Sequence, residues 1–212
     1  MFRKLAAFLF LAVLVSSADS AIDLTPATKE YTREGFVYTQ VTFKADKGTV
    51  IFNPPQGWTI SGGKDRAQLT PQGKRFAEAS IQATPSIAPQ LFEEAALKTL
   101  EQKVLAEVPT GSQSIMVVKR EQNPVMIGQN PSFEFVVSYQ ALGQLFLRSV
   151  IFVATPDTQL TFRVSAPKAD FEALSTSFRR SISSWHLVEA KSASASAQAL
   201  APTAPPPVSK PN

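Results

Sequence analysis

From Phe133 the chain alternates. Phe133, Phe135, Val137 and Tyr139 are separated by Glu134, Val136, Ser138 and Gln140, the period of two that sends one set of side chains to one face of a strand, here an aromatic inner face. Ala141, Leu142 and Gly143 supply a short turn, and the run from Gln144 to Val153 is apolar at both parities, which predicts a strand covered on both faces. Thr155, Pro156, Asp157 and Thr158 form a second turn signal, after which Leu160, Phe162 and Val164 alternate again. Strands joined by such short turns form an antiparallel meander.

The period then changes. Ser165, Ala166 and Pro167 read as a cap with proline in the first turn, followed by Asp170 and Glu172 where a helix dipole favours negative charge. Phe171, Leu174, Phe178, Ile182 and Trp185 recur at intervals of three and four, one apolar stripe that must lie on a sheet, while Arg179 and Arg180 fall on the side facing water. A second helix is expected from about Gln90 to Glu107, opened by Pro89 and stopped by Pro109, Thr110 and Gly111. Its buried stripe is Phe92, Ala96, Leu100, Val104 and Val108, and Glu94 with Lys98 forms a favourable i,i+4 pair outside.

Further strands read as Phe36 to Lys44, Thr49 to Phe52, Trp58 to Ser61, Phe76 to Thr84 and Ser114 to Arg120. Helices and strands are segregated, so the expected class is α+β, a mostly antiparallel sheet with helices packed on its faces, over residues 36–188.

Both ends differ from this body. Arg3 and Lys4, the apolar run from Leu5 to Val15, and the small residues Ser16, Ser17, Ala18, Ser20 and Ala21 follow the order of a secretory signal peptide, expected over residues 1–20. The run is shorter than the roughly 20 apolar residues a membrane-crossing helix needs. Cleavage after Ala18 or after Ser20 satisfies the small-residue rule, and Ser20 is favoured. No later stretch is long and apolar enough to span a bilayer, so the expected product is soluble, in the periplasm or outside the cell. Residues 21–35 read as a lead-in outside the core. Residues 189–212 are rich in Ala, Ser and Pro and hold no aromatic, a composition that predicts a disordered tail.

The absence of cysteine rules out disulfides, thiolate metal sites and a lipid-bearing cysteine, so stability must come from the core, for which 15 Phe, 2 Trp and 3 Tyr supply the material. The formal charge of +4 is mild, and the pairs Lys74-Arg75, Lys119-Arg120 and Arg179-Arg180 are scattered. That distribution reads as a solvated face rather than a nucleic-acid footprint, and it leaves a weak contact with an anionic envelope surface as the electrostatic option.

Candidate chemistry is sparse. His186 is the single histidine and reads as a helix C-terminal cap or a surface residue. One histidine without cysteine builds no familiar triad or imidazole metal cluster. No Gly-x-Ser-x-Gly elbow marks a nucleophile. Glu93 and Glu94 point some 100° apart on a helix and complement its dipole. Ser61, Gly62, Gly63 and Lys64 lack the phosphate-loop spacing and read as a hairpin turn. No catalytic, cofactor-binding or metal-ligating residue is assigned, and no cofactor is expected.

Two segments carry a family resemblance. Ile51, Phe52, Asn53, Pro54, Pro55, Gln56, Gly57 and Trp58 look like a strand, a Pro-x-Gly-Trp turn and a next strand; the stretch from Phe133 through Ser165-Ala-Pro-Lys-Ala-Asp-Phe171 to Trp185 looks like a meander and final helix. Together they resemble the PsbP-like and Mog1-like α/β/α sandwich, which also includes DcrB-type envelope proteins. The resemblance implies a non-enzymatic domain that docks on another protein, as PsbP-type proteins do on a photosystem and Mog1-type proteins on a nuclear GTPase. The export pattern, the missing transit peptide and the missing lipid cysteine separate this chain from each, so no partner is carried over.

These readings converge on a binding or assembly module of the cell envelope with an envelope protein as partner. Behind it stand a carrier of a small apolar ligand in a cleft between sheet and helix, and a cryptic hydrolase. The candidate partner contacts are Arg179, Arg180 and Trp58. The Pro-Pro-x-Gly turn would aim the Trp58 indole at the sheet as a core plug, the alternative to an exposed contact.

Overall fold

The computed structural model describes residues 21–86 and 92–190. The expected signal peptide, the first residues of the first helix and the Ala/Ser/Pro-rich end from Lys191 lie outside the described residues. In chain order the elements are β1 (Ile22–Arg33), β2 (Phe36–Ala45), β3 (Gly48–Phe52), β4 (Trp58–Gly63), β5 (Arg66–Pro71), β6 (Glu78–Pro85), α1 (Glu94–Ala106), β7 (Gln113–Gln122), β8 (Ser132–Ala141), β9 (Gln144–Ala154), β10 (Thr158–Pro167), α2 (Lys168–Ile182) and β11 (His186–Glu189).

The strands form two antiparallel sheets, one of order β1-β2-β3-β11 and a larger one of order β4-β5-β6-β10-β9-β8-β7. The meander is β8-β9-β10. After α1 the chain enters the larger sheet at its far edge, and the meander walks back until β10 reaches β6, with Leu160 opposite Ala83 and Phe162 opposite Ile81.

Alternation divides the core in two. Phe133, Phe135, Val137 and Tyr139 of β8 cluster with Leu100 and Val104 of α1 and with Val108. Val136 of β8 and Ile151 and Val153 of β9 belong instead to the cluster holding Phe171, Leu174, Phe178 and Ile182 of α2 and Val41, Phe43, Val50 and Phe52 of the smaller sheet. Strand β8 is therefore buried on both faces over nearly its whole length, whereas its sequence marks only the aromatic face.

Four other expectations are corrected. The segment after Ala21 is not a lead-in but strand β1, whose Leu24 is fully buried and donates its N–H to the Lys64 carbonyl at 2.9 Å. Strand β5 completes a hairpin with β4, so that Lys64 and Asp65 make the turn that follows Gly63. Helix α2 stops at Ile182, three residues before the end of its apolar pattern. Trp185 is held in a turn by an N–H bond to the Ile182 carbonyl at 3.0 Å, with its ring 5.5 Å from both Phe43 and Phe162. His186 consequently opens β11 opposite Ile51, where it caps no helix and is exposed, the surface alternative of its sequence reading. Finally, strand β10 runs to Pro167 and abuts α2 directly, and the Ser165 hydroxyl bonds Tyr139 at 2.7 Å instead of capping the helix.

Candidate functional site

The turn before β4 places Trp58. Gly57 takes φ of +76°, a left-handed conformation open to glycine, and the Trp58 N–H reaches back to the Pro55 carbonyl at 3.2 Å. The indole is turned inward and lies flat on Phe178 of α2, centroids 5.9 Å apart and planes 6° apart, half-buried against the core. Its placement is that of a plug rather than of an exposed contact.

The arginine pair is split. Arg180 is exposed. Arg179 is not on the water side but turns to the sheet, where its Nη2 donates to both carboxylate oxygens of Glu134, a fully buried residue of β8. Ser149 Oγ donates to the same carboxylate at 2.5 Å, and Lys119 Nζ lies 3.6 Å from it. Strand pairing sets Glu121 opposite Glu134, and Lys119 bridges the two acids with a 2.6 Å bond to Glu121. That bond holds the Glu121 carboxyl below its usual range against the opposing effect of burial, and Arg179 adds to the lowering. Two acids and two bases thus close a neutral cluster between α2, β7 and β8. It has the make-up of an electrostatic staple that ties the helix to the sheet.

The sequence reading found β2 but missed β1, and with it the exposed hairpin the two strands form. Leu24 and Val41 anchor its base in the core, while residues 27–32, 34, 35, 37 and 38 are exposed. Near its tip Tyr31 lies directly opposite Tyr38, and the rings stack with centroids 5.5 Å apart although each residue is about 40% exposed, at 40% and 39%. Glu34 and Gly35 turn the chain with φ of 53° and 82°, the two left-handed positions of a tight hairpin. The signal that could have found it is this Glu-Gly pair between stretches rich in Thr, Val and Tyr.

A carrier would need a cavity. A cleft of about 550 Å³ lies between the ends of the two sheets, not between sheet and helix, with Ile22, Val50, Leu160 and Trp185 among its walls. Lys47 and Asp157, both on its lining, pair at 2.5 Å. Among the described residues no group of three or more His, Cys, Asp or Glu could hold a metal ion, and no helix is long and apolar enough to cross a membrane.

This arrangement of meander, inserted helix and final helix defines the class: the chain has a PsbP-like fold. Its structure is similar to the solution structure of cyanobacterial PsbP (CyanoP) from Synechocystis sp. PCC 6803, with a TM-score of 0.50 at 13% identity, covering 85% of this chain and 99% of that one. It is also similar to a crystal structure of a protein of unknown function, PA94, from Pseudomonas aeruginosa, with a TM-score of 0.41 at 14% identity, covering 78% of this chain and 99% of that one. No family model matches the sequence, and no curated protein matches it.

Proposed function

We propose that this chain is an exported, non-enzymatic binding or assembly module of the cell envelope, an α/β/α sandwich with helices on the sheet faces that docks on another protein through the β1–β2 arm. The observation that carries this reading is the Tyr31–Tyr38 stack. The pair lines only a small cleft of about 70 Å³ beside residues 53–57, far below the size of an ordinary ligand pocket, but it offers rigid amphipathic contact area of the kind that anchors protein interfaces. The signal-like N-terminus and the PsbP-like fold support the export and docking parts of the proposal. Arg180, exposed on α2, is retained as a secondary contact, whereas Arg179 and Trp58 serve the fold.

The test is site-specific cross-linking. A photoreactive phenylalanine at Tyr31 or Tyr38, in envelope fractions of the host, is expected to give one discrete adduct that a probe at Lys103 on α1 does not give. The partner, identified and purified, should bind wild-type protein at least tenfold more tightly than a folded Tyr31→Ala/Tyr38→Ala variant. Equal binding of the variant, or adducts at Lys103 alone, would overturn the reading.

The cleft of about 550 Å³ supports a second reading, a carrier of a small apolar ligand, because its size is in the range of ordinary ligand pockets. Native mass spectrometry of protein purified from its own host distinguishes the two, since a carrier retains its cargo.

A further inference from the structure

A separate cleft of about 420 Å³ opens between the loop after α1, the β8–β9 turn and the residues that lead into β6. Phe76, Leu142 and Phe146 form apolar walls, and Tyr139, Ser165 and Arg148 bring polar groups to it. Arg148 stands out, because only 3% of it is exposed. Its guanidinium lies over the Tyr139 ring, 5.5 Å from the centroid, and its Nη1 donates to the Glu107 main-chain carbonyl. Its Nε is buried without a hydrogen-bond partner. No carboxylate among the described residues pairs with it, since the Glu107 side chain goes to Arg163 at 3.5 Å. A guanidinium cannot shed its proton to escape burial, and a buried charge lacking its counter-ion is strongly unfavourable.

Two neighbours sharpen the picture. Phe76 holds φ of +62°, a rare conformation for a bulky residue, and presents its ring at the cleft with 57% of the residue exposed. Glu78 is half-buried on the same lining and has no ion-pair partner among the described residues. Its negative charge leaves room for one anionic group on Arg148 and opposes a second.

We infer that this cleft is a binding site for a small monocarboxylate with an apolar or aromatic body. The carboxylate accepts hydrogen bonds from Arg148, and a rotated hydroxyl of the Tyr139–Ser165 pair, 2.7 Å apart, supplies another donor. The body lies against Phe76, Leu142 and Phe146. The site is distinct from the β1–β2 arm and does not depend on it.

Calorimetric titration of the full chain with 3-phenylpropionate, 3-phenylpropionamide and glutarate tests this. The monocarboxylate is expected to bind saturably at one site, the amide at least tenfold more weakly, and the dicarboxylate more weakly still. Arg148→Met should abolish binding. Should that variant fail to fold, Glu78→Gln, which removes the opposing charge, is expected to tighten 3-phenylpropionate severalfold, and Phe76→Gly to weaken it severalfold while relieving the backbone. The proposal is overturned if 3-phenylpropionate does not bind, if the amide binds equally well, or if a folded Arg148→Met binds as wild type does. Binding that emerges only when residues 191–212 are removed would also overturn it, as the chain's own end would then be the occupant.

Discussion

Arg179 of α2 and Glu134 of β8, 45 positions apart in the chain, meet inside the protein: one guanidinium nitrogen donates to both oxygens of a carboxylate with no solvent exposure. The pair ties the helix to the meander and explains why a polar residue is tolerated at full burial in β8. Removing the arginine leaves that carboxylate buried with only Lys119 and Ser149 near it. Arg179→Ala should therefore cost about 3–5 kcal/mol in denaturant unfolding, the usual consequence of breaking a buried pair. Arg180→Ala, one position further on and exposed, should stay within about 0.5 kcal/mol. Replacing Glu134 and Arg179 together by leucine should recover most of the loss.

Phe178 lies at the centre of the α2 stripe, 1% exposed, flat against Trp58 and edge-on to Phe162 at 6.4 Å. Phe178→Ala is expected to cost about 3–5 kcal/mol through lost transfer energy and a cavity. Calorimetric or denaturant unfolding measures it, and a change below about 1 kcal/mol would mean the helix is packed differently.

Strand β1 can be tested by one residue. Leu24→Ala should destabilise by about 2–5 kcal/mol because the side chain is wholly buried. Lys29→Ala in the exposed arm should leave unfolding within about 0.5 kcal/mol. Equal, small effects would return this segment to a peripheral role.

The cluster also predicts a pH dependence. The Glu121 carboxyl is held below its ordinary value of 4.5, chiefly by Lys119, so its charged form is favoured in the folded protein. Its contribution to stability is present above that ordinary value and lost as pH falls through the lower, folded-state value. Lys47 behaves oppositely: Asp157 raises it above 10.5, so its contribution is complete below that value and fades as pH rises through the higher, folded-state one. Unfolding of Glu121→Gln followed from pH 6 to 3 should show a shallower acid loss than wild type, and Lys47→Met a shallower alkaline loss.

Local periodicity determined much of this protein. The meander, the α2 stripe and the antiparallel class could be read from the sequence because alternation at two and recurrence at three to four record which side chains share a face. Of the candidate contacts, the turn chemistry before Trp58 pointed to its inward placement. What periodicity cannot record is whether the opposite face is also covered. Glu134 and Arg179 both look solvent-facing along their own elements, and only the passage of α2 over the sheet brings them together and excludes water. The same holds for Leu24, whose burial comes from a neighbouring sheet, and for Arg148, which sits in an apolar run with nothing nearby in sequence to mark the cleft it lines. Burial of a polar group depends on contacts distant in the chain, and those exist only once the sheets and helices have packed.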